Sequence, residues 1–401
     1  MWLVRSSCPT ECASEESVMV LMTAVAAAMI AEPRDMSPEL EEIRRNYDVA
    51  SMVCAVYRDG ELIGSGASGW YSYEDTTPVT VDSRYHIGSC TKAMTSVLVG
   101  MLVDEGKINW DTPVDEALVA LGGDEFDPHW STVTVSDLLA HRSGIDEDHI
   151  QELYFMPWTL ASQEPSLSPR EQRREVARAV LERPAQLPGD EGVPPYEYSN
   201  FGYILAGAIL EVHTDTPWEE LMQERIFEPL GMDSAGFGPP GELDEMTEPV
   251  GHMGGGEWKP MLLEEGTRLP DNPPSYGPAG RVHASVIDWG KFVDDFEQGL
   301  DGEGRLLKTE TYQAIAEDAD GDGYALGWGV SKRDWAKGVT LSHAGSNRFW
   351  YSVTWTAPEL DLVMLCATNV PPDPGQPASD EAIGMMVGVF NHSDTDSDSG
   401  D

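Results

Sequence analysis

The sequence is poor in positive charge, and in lysine above all. Its 401 residues include 70 Asp and Glu against 25 Lys and Arg, only seven of which are lysine, and the formal net charge is −45. A surface this acidic repels phosphates, so nucleic acid is excluded as a partner. Because salt screens repulsion between exposed charges, the composition predicts a halophilic protein from a salt-rich habitat; an ordinary acidic protein is the alternative.

Cysteines and metal-binding motifs are also scarce. The five cysteines are odd in number and scattered, which predicts no disulfide framework. Cys-x-x-Cys, His-x-His and His-Glu-x-x-His motifs are all absent, so neither a metal site nor a cofactor is predicted. Residues 318–323 resemble the start of a calcium loop, but its twelfth position is Gly329 instead of a glutamate, and an acidic turn is favoured. The lack of Gly-x-Ser-x-Gly argues against an α/β-hydrolase.

Apolar runs are short. The run at residues 18–31 has 14 residues, too few to span a bilayer, and it follows Glu15 and Glu16, where an export signal carries positive charge. The sequence therefore predicts no integral membrane segment. Residues 1–35 are interpreted as an N-terminal extension or a weak export-like segment, and both a cytoplasmic and an exported location stay open.

The sequence does contain a serine placed three residues before a lysine. Lys92, in Gly88-Ser89-Cys90-Thr91-Lys92, is the only one of the seven lysines with this spacing. Positions i and i+3 share a helix face, so the amine of Lys92 is expected beside the hydroxyl of Ser89, where it can take the hydroxyl proton. Residues 93–103 carry almost no charge and predict a buried helix, which places Ser89 at a helix start that favours developing negative charge.

A tyrosine is predicted to join this pair. Tyr198-Ser199-Asn200 is the only Tyr-x-Asn in the chain, and it lies between a loop rich in Pro and Gly and a predicted helix at residues 201–211. The ordinary pKa of tyrosine, near 10, is too high for a general base at neutral pH. Tyr198 therefore needs a cation that stabilises its phenolate, and Lys92 is the candidate.

A late strand supplies the last part of the candidate site. The segment that contains His343, Gly345 and Ser346 alternates polar and apolar residues as strands do, and a second strand pattern follows at residues 351–355. Glycine lets another backbone approach closely. The N–H groups of Ser346 and Ser89 can therefore form a two-donor oxyanion hole.

With these motifs in this order, the chain resembles the serine β-lactamase-like superfamily, closest to class C β-lactamases, family VIII esterases and D-amino-acid peptidases of the penicillin-binding-protein fold. Ser-x-x-Lys is an established motif of penicillin-binding proteins. Segments similar to other family signatures occur at residues 56–61, 135–144, 226–232, 278–281 and 324–330. The resemblance implies that Ser89 is the acylated nucleophile, that Lys92 and Tyr198 share the proton transfer, and that Asn200 binds the substrate amide or Lys92.

One departure from the family pattern bears on the substrate. Class C β-lactamases have Lys-Thr-Gly or Lys-Ser-Gly where this chain has His343-Ala344-Gly345, and that lysine helps to hold the substrate carboxylate. Histidine is largely neutral at pH 7, which argues against recognition of an anionic β-lactam or a peptide C-terminus. Arg348 is considered as a replacement, although an arginine at this place is more often a solvated strand-end charge.

Two further residues are weighed and set aside. Cys90 is a second candidate nucleophile by position, but a cysteine packed behind a serine at a helix start is usually a small hydrophobe. His141 would be a tempting member of a catalytic triad. In the family pattern it is a structural position, so no catalytic role is predicted for it.

The order of strand and helix patterns predicts the fold class. Ser37 is expected to cap a first helix and residues 380–390 to form a last one, and strands are predicted at residues 52–57, 62–69, 340–343, 351–355 and 360–368. With the resemblance, this predicts an α+β, β-lactamase-like fold: an antiparallel sheet from both chain ends, flanked by helices, with an inserted, mostly helical lobe. The predicted catalytic domain covers residues 36–390, divided into a sheet lobe (about 36–88 and 281–390) and a helical lobe (about 89–280). Residues 391–401 are predicted to be an acidic, disordered tail.

Together these features predict a serine hydrolase that works through a covalent acyl-enzyme on an ester or amide carbonyl. A carboxylester is the first choice of substrate, and a β-lactam or a D-amino-acid peptide is the alternative. The competing hypothesis from another class is a penicillin-recognising protein that binds without turnover. Intact Ser89, Lys92, Tyr198 and Asn200 argue against it, since loss of catalysis would normally alter at least one of them.

Overall fold

A seven-stranded sheet built from both ends of the chain forms the centre of the structure. The structure is a computed structural model that describes residues 32–122, 126–146, 151–184, 194–254, 257–264 and 270–391. Its strands are β1 (Arg34–Asp35), β2 (Ser51–Arg58), β3 (Glu61–Gly69), β4 (Arg84–His86), β5 (Gly236–Phe237), β6 (His252–Met253), β7 (Lys259–Pro260), β8 (Val282–Ser285), β9 (Gly329–Arg333), β10 (Gly338–Ser346), β11 (Tyr351–Ala357) and β12 (Leu362–Thr368).

Most of the helices lie between β4 and β9 in the chain. They are α1 (Ser37–Asn46), α2 (Thr91–Asp104), α3 (Val114–Ala117), α4 (Val135–Leu139), α5 (Gln151–Gln163), α6 (Pro169–Leu181), α7 (Asn200–Thr214), α8 (Trp218–Met222), α9 (Glu228–Leu230), α10 (Gly277–Gly280), α11 (Val286–Leu300), α12 (Thr309–Ala316) and α13 (Pro372–Phe390). Within the described residues, no helix is long and apolar enough to cross a membrane.

The strand order of the main sheet is β1-β3-β2-β12-β11-β10-β9. All neighbours pair antiparallel except β1, which pairs parallel to β3. Strands β4, β8 and β5 form a separate three-stranded sheet. The early strands β2 and β3 and the late strands β9 to β12 therefore share one sheet, as the sequence predicts.

The central strands are buried along almost their whole length because helices cover both faces of the sheet. On β12, Val363 and Leu365 belong to a core that contains Trp289 and Phe292 of α11. The alternate residues of β12 belong to a second core, together with residues of α1 and α13. Since successive side chains of a strand point to opposite faces, this division places α11 on one face and α1 and α13 on the other.

Helix α2, in the region between the two groups of strands, is almost completely buried. Every residue from Thr91 to Leu102 is buried, and α2 packs against α7, α10 and α12. The nearly uncharged run after Ser89 is therefore a central helix, as predicted. It holds its own first turn, which contains Lys92, in a fixed environment.

Several details of the predicted elements are wrong. Ser37 does not cap α1: Met36 occupies the cap position, and the hydroxyl of Ser37 instead accepts a hydrogen bond from the N–H of Ala67. Helix α13 begins at Pro372 instead of residue 380, and residues 358–360 form a 3₁₀ turn before β12. The N-terminal apolar run, most of the 187–195 loop and the acidic tail from residue 392 lie outside the described residues.

Candidate active site

Ser89 lies in a tight turn that leads directly into α2. Residues Gly88–Cys90 form a 3₁₀ turn, and Gly88 has a φ of +51°, a conformation that favours glycine. The hydroxyl of Thr91 donates to the carbonyl of Gly88 at 2.7 Å and fixes the turn. Ser89 is half-buried. Its hydroxyl therefore stands at the N-terminal end of α2 with access to the surroundings, as predicted.

Lys92 lies one turn further along and is completely buried. Its Nζ donates to Ser89 Oγ at 3.1 Å, to Asn200 Oδ1 at 2.9 Å and to the carbonyl oxygen of Ala279 at 2.7 Å. An ammonium group has three protons, and these three acceptors match it. The structure thus brings Asn200 next to Lys92 and Ser89, although Asn200 is 108 residues from Lys92 in the sequence.

Tyr198 stands next to Lys92, with the Lys92 Nζ atom 4.8 Å from the centroid of its ring. The residue Tyr198 itself is 37% exposed. The buried ring of His141 packs against it, tilted by 36°, with 4.2 Å between centroids, and His141 Nδ1 accepts from the N–H of Ser199 at 3.0 Å. His141, which has a positive φ of 59°, therefore contacts both the ring of Tyr198 and the backbone of Ser199. Tyr198 faces both a cation and an open space.

Two glycines allow the end of β10 to approach the Ser89 turn. A Cβ atom on Gly345 would lie 2.0 Å from the carbonyl oxygen of Ile87 and 2.8 Å from the Ser89 nitrogen. A Cβ atom on Gly88 would lie 2.3 Å from the Ser346 nitrogen. No side chain fits at either position, so the backbone segments of Ser89 and Ser346 are in direct contact. This is the closeness that an oxyanion hole made from their N–H groups requires.

His343 is held in its neutral form. Its Nδ1 lies 2.7 Å from the carbonyl oxygen of Ala344, which can only accept, so the ring proton is on Nδ1. Nε2 then accepts from the hydroxyl of Tyr324 at 2.9 Å. Burial, with the nearby charge of Lys92, lowers the pKa of His343 to about 3. At pH 7 the residue that replaces the family lysine is therefore an uncharged hydrogen-bonded ring.

An aromatic cavity of about 300 Å³ opens beside these residues. It is lined by Tyr196, Tyr198, Tyr324, Gly329, Ser342, His343 and Ala344. The lining includes no Asp, Glu, Lys or Arg side chain. Burial raises the pKa of Tyr324 well above its usual value and lowers the pKa of His343, so both are neutral at pH 7. The cavity is suited to an apolar or neutral polar group.

The two secondary candidates have other environments. Burial raises the pKa of the Cys90 thiol despite the nearby charge of Lys92, and its Sγ lies 3.4 Å from the carbonyl oxygen of His343. Cys90 is thus a buried neutral thiol and a poor nucleophile. Arg348 is exposed, and its Nη2 donates to the hydroxyl of Tyr154 at 2.7 Å.

The acidic segment at residues 318–323 is a turn organised by its own backbone. The carboxylate of Asp318 accepts hydrogen bonds from the N–H groups of Gly321, Asp322 and Gly323. Within the part of the chain that the structure describes, no three His, Cys, Asp or Glu side chains are grouped so that they could hold a metal ion.

Three contributions to the site were not expected from the sequence. They are the carbonyl oxygen of Ala279, the hydroxyl of Tyr324 and the contact of the His141 ring with Tyr198. Ala279 and Tyr324 both lie in segments that resemble family signatures, which is the only signal that pointed towards them. A backbone carbonyl carries no residue-specific signal, so its role depends on the packing of α10 against α2.

The fold and this arrangement of serine, lysine and tyrosine define the chain as a member of the serine hydrolase superfamily that contains β-lactamases and penicillin-binding proteins. The model of the Beta-lactamase family matches residues 27–384, so the chain belongs to that family. The fold class expected from the sequence is thereby confirmed.

Known relatives have different names and lengths. The chain is 26% identical over 340 residues to "Penicillin-binding protein 4" of Amycolatopsis lactamdurans, which covers 82% of this chain and 83% of that protein. It is 27% identical to "D-aminopeptidase" of Brucella anthropi over 82% of this chain and 58% of that protein. It is 28% identical to "Esterase/beta-lactamase LipL" of Mycobacterium tuberculosis over 46% of this chain and 38% of that protein.

Solved structures support the same fold. The octameric penicillin-binding protein homologue from Pyrococcus abyssi matches with a TM-score of 0.66 and 23% identity, over 88% of this chain and 77% of that chain. At this identity the match concerns the fold alone. The relatives include peptidases and esterases, so family membership by itself leaves the substrate undetermined.

Proposed function

We propose that the protein is a serine hydrolase that forms a covalent acyl-enzyme at Ser89. The observation that carries the proposal is the 3.1 Å contact between Lys92 Nζ and Ser89 Oγ, made by a completely buried lysine that also faces Tyr198. A lysine without a catalytic task would normally keep its charge in water. Here the charge is buried where it can act on a serine and a tyrosine.

In the first step, Ser89 Oγ attacks the substrate carbonyl carbon while its proton passes to the Lys92–Tyr198 pair. Lys92 already directs its three N–H groups to acceptors, so its positive charge stabilises a Tyr198 phenolate and the phenolate accepts the proton. The N–H groups of Ser89 and Ser346 stabilise the negative oxygen. The bond to the leaving group then breaks, and the pair returns the proton to that group.

In the second step, water releases the acyl group. The Lys92–Tyr198 pair accepts a proton from water, the resulting hydroxide equivalent attacks the ester carbonyl of acylated Ser89, and the proton returns to Ser89 Oγ. Asn200 fixes Lys92 through its Oδ1 atom, which accepts from the Lys92 amine. Because Gly345 has no side chain, the end of β10 lies directly against the Ser89 turn during both steps.

The favoured substrate is a small neutral carboxylester. The cavity beside the site is aromatic, and its histidine, which stands where class C β-lactamases have a lysine, is uncharged. An anionic substrate group would find little compensation there. The D-aminopeptidase relative, which covers 82% of this chain, supports a D-amino-acid peptide or a β-lactam as the second candidate. A protein that binds such molecules without turnover is the third and weakest candidate.

The test combines labelling with a substrate panel. Wild type, Ser89→Ala and Cys90→Ala are treated with a fluorophosphonate, and the adduct is located by mass spectrometry. Cys90→Ala is the matched control, because it changes the neighbouring residue of the same turn. We expect labelling of Ser89 in wild type and Cys90→Ala, and a fall in kcat of about 10⁴-fold or more in Ser89→Ala.

The same preparations are assayed with p-nitrophenyl esters, a chromogenic cephalosporin and D-alanyl peptides. Highest kcat/KM on a short ester is the expected result. An adduct on another residue, or undiminished turnover by Ser89→Ala, contradicts the mechanism. Turnover of the cephalosporin or the peptide above that of every ester contradicts only the choice of substrate.

A further inference from the structure

A buried carboxylate lies behind the candidate oxyanion hole and contacts both of the segments that form it. The side chain of Asp271 is 1% exposed. It belongs to the loop before α10 and takes no part in the proton path proposed above. Its Oδ1 contacts a residue of each of these two segments, and its Oδ2 contacts Arg281.

The first link runs to the segment of Ser346. Asn347, the next residue, donates from Nδ2 to Asp271 Oδ1 at 3.0 Å. Its Oδ1 accepts from the N–H of Phe349 at 3.2 Å, which fixes the orientation of the amide. Asn347 is 3% exposed. Asp271 therefore anchors the backbone immediately after the Ser346 N–H.

The second link runs to the segment of Ser89. The N–H of Gly88, the preceding residue, donates to His86 Nδ1 at 3.1 Å. On the other side of the ring, His86 Nε2 lies 2.9 Å from Asp271 Oδ1, a close contact without the geometry of a hydrogen bond. His86 is completely buried. Asp271 therefore contacts the ring that accepts from the backbone immediately before the Ser89 N–H.

The carboxylate is kept ionised in this buried place. Arg281 donates from Nε to Asp271 Oδ2 at 2.9 Å. Burial raises the pKa of Asp271, but the nearby His86 and Arg281 outweigh it and hold the pKa well below the usual range. Arg281 follows α10, whose Ala279 carbonyl accepts from Lys92. One charged group therefore joins three backbone segments of the site.

We propose that Asp271 is a positioning residue that sets the separation of the Ser89 and Ser346 N–H groups. The inference rests on the proposed function, because it assigns these groups to an oxyanion hole. The N–H groups of an oxyanion hole stabilise a transition state only when they are held in place before the reaction. Asp271 fixes both donors from behind through Asn347 and His86, without touching the substrate.

The test compares Asp271→Asn with Asp295→Asn. Asp295 is a matched control: its side chain is also 1% exposed, it also contacts an arginine, Arg305, and it accepts from the hydroxyl of Tyr312 at 2.6 Å. Neither partner belongs to the candidate site. Both variants are expected to lower the melting temperature, since each breaks a buried network. Only Asp271→Asn is expected to affect the reaction.

For Asp271→Asn we expect kcat and the rate of Ser89 labelling by the fluorophosphonate to fall by about 10- to 100-fold, below the 10²- to 10³-fold loss caused by removing a whole oxyanion donor. KM should change less than about threefold, and inhibition by a boronic acid, which forms a tetrahedral oxyanion, should weaken in parallel with kcat. For Asp295→Asn, all three quantities should stay within about threefold of wild type.

Asn347→Ala, which removes only the first link, replaces Asp271→Asn if that variant does not fold, with the same expected split between kcat and KM. Rates in either variant that match those of Asp295→Asn overturn the inference while wild type still labels at Ser89. A wild type that neither labels at Ser89 nor turns over any substrate overturns the proposed function, and the inference with it.

Discussion

Replacing Glu297 by glutamine should make the protein less sensitive to alkaline pH. Glu297 lies on α11, takes no part in the candidate site, and is 2% exposed. It lines a cavity together with Asp59, Asp301 and Asp361, and its Oε2 has no hydrogen-bond partner among the described residues. Burial first, and then repulsion from Asp361, Asp294 and Asp301, raises its pKa from 4.5 to about 8.

The sign of the effect follows from proton binding. Between pH 4.5 and 8 the folded protein keeps the Glu297 proton and the unfolded chain does not, so stability falls as the pH rises through this range. A raise from 4.5 to about 8, at about 1.4 kcal/mol per pKa unit, corresponds to at most about 5 kcal/mol. Glutamine is neutral at every pH, and Glu297→Gln should therefore abolish this loss.

The assay is equilibrium unfolding in urea at pH 5 to 9 and constant ionic strength. The difference in unfolding free energy between Glu297→Gln and wild type should be small at pH 5 and grow by about 2–5 kcal/mol towards pH 9. Glu303→Gln is the control, because Glu303 lines the same cavity but is exposed. A difference that is equal at pH 5 and pH 9 would refute the raised pKa, and an equal pH-dependent gain in Glu303→Gln would assign the effect to general charge repulsion.

Two further predictions concern the reaction and the surface. Lys92→Ala and Tyr198→Phe should each lower kcat by about 10²- to 10⁴-fold, and the double variant should lose much less than the product of the two, because both residues serve one proton transfer; Tyr196→Phe, in the same cavity, should stay within about fivefold. A loss of kcat in the double variant close to the product of the two single losses would show that the two residues do not serve one proton transfer. Melting temperature and activity should both rise between about 0.1 M and 1 M NaCl, where the screening length falls from ~10 Å to ~3 Å, and sucrose, which does not screen charge, should not reproduce the rise in activity.

The parts of the site that a local pattern encodes were predictable. Ser89 lies in the 3₁₀ turn that leads directly into the helix of Lys92, so their spacing of three residues already determines their contact. Gly345 was expected to allow a close approach, and the approach to the Ser89 turn is what the structure contains. The sheet from both chain ends was predictable for a similar reason, since strand patterns such as those of β2 and β12 occur near both ends of the chain. The nearly continuous apolar runs of these two strands need covered faces on both sides.

Contacts that depend on tertiary packing were not predictable. Asp271 is 182 residues from Ser89 in sequence and lies in an irregular loop, so no periodicity marks it. The prediction that Ser37 caps α1 is wrong because its hydroxyl accepts a hydrogen bond from Ala67 of β3 instead. Only the packed sheet brings this competing donor close to Ser37. The role of the Ala279 carbonyl is equally hidden, because every residue has such a group.

The acidic surface and the acidic cavity affect stability by different physical routes, and salt distinguishes them. The formal net charge of −45 acts mainly between exposed groups, whose repulsion is screened within about 10 Å at 0.1 M salt. Glu297 is almost completely buried, and the largest cause of its raised pKa is burial, which salt does not relieve. In 1 M NaCl the unfolding free energy of wild type should therefore be higher at every pH, while the decline between pH 5 and 9 persists in wild type and stays absent in Glu297→Gln. If high salt instead removes the decline, repulsion from the neighbouring carboxylates, and not burial, is the dominant cause.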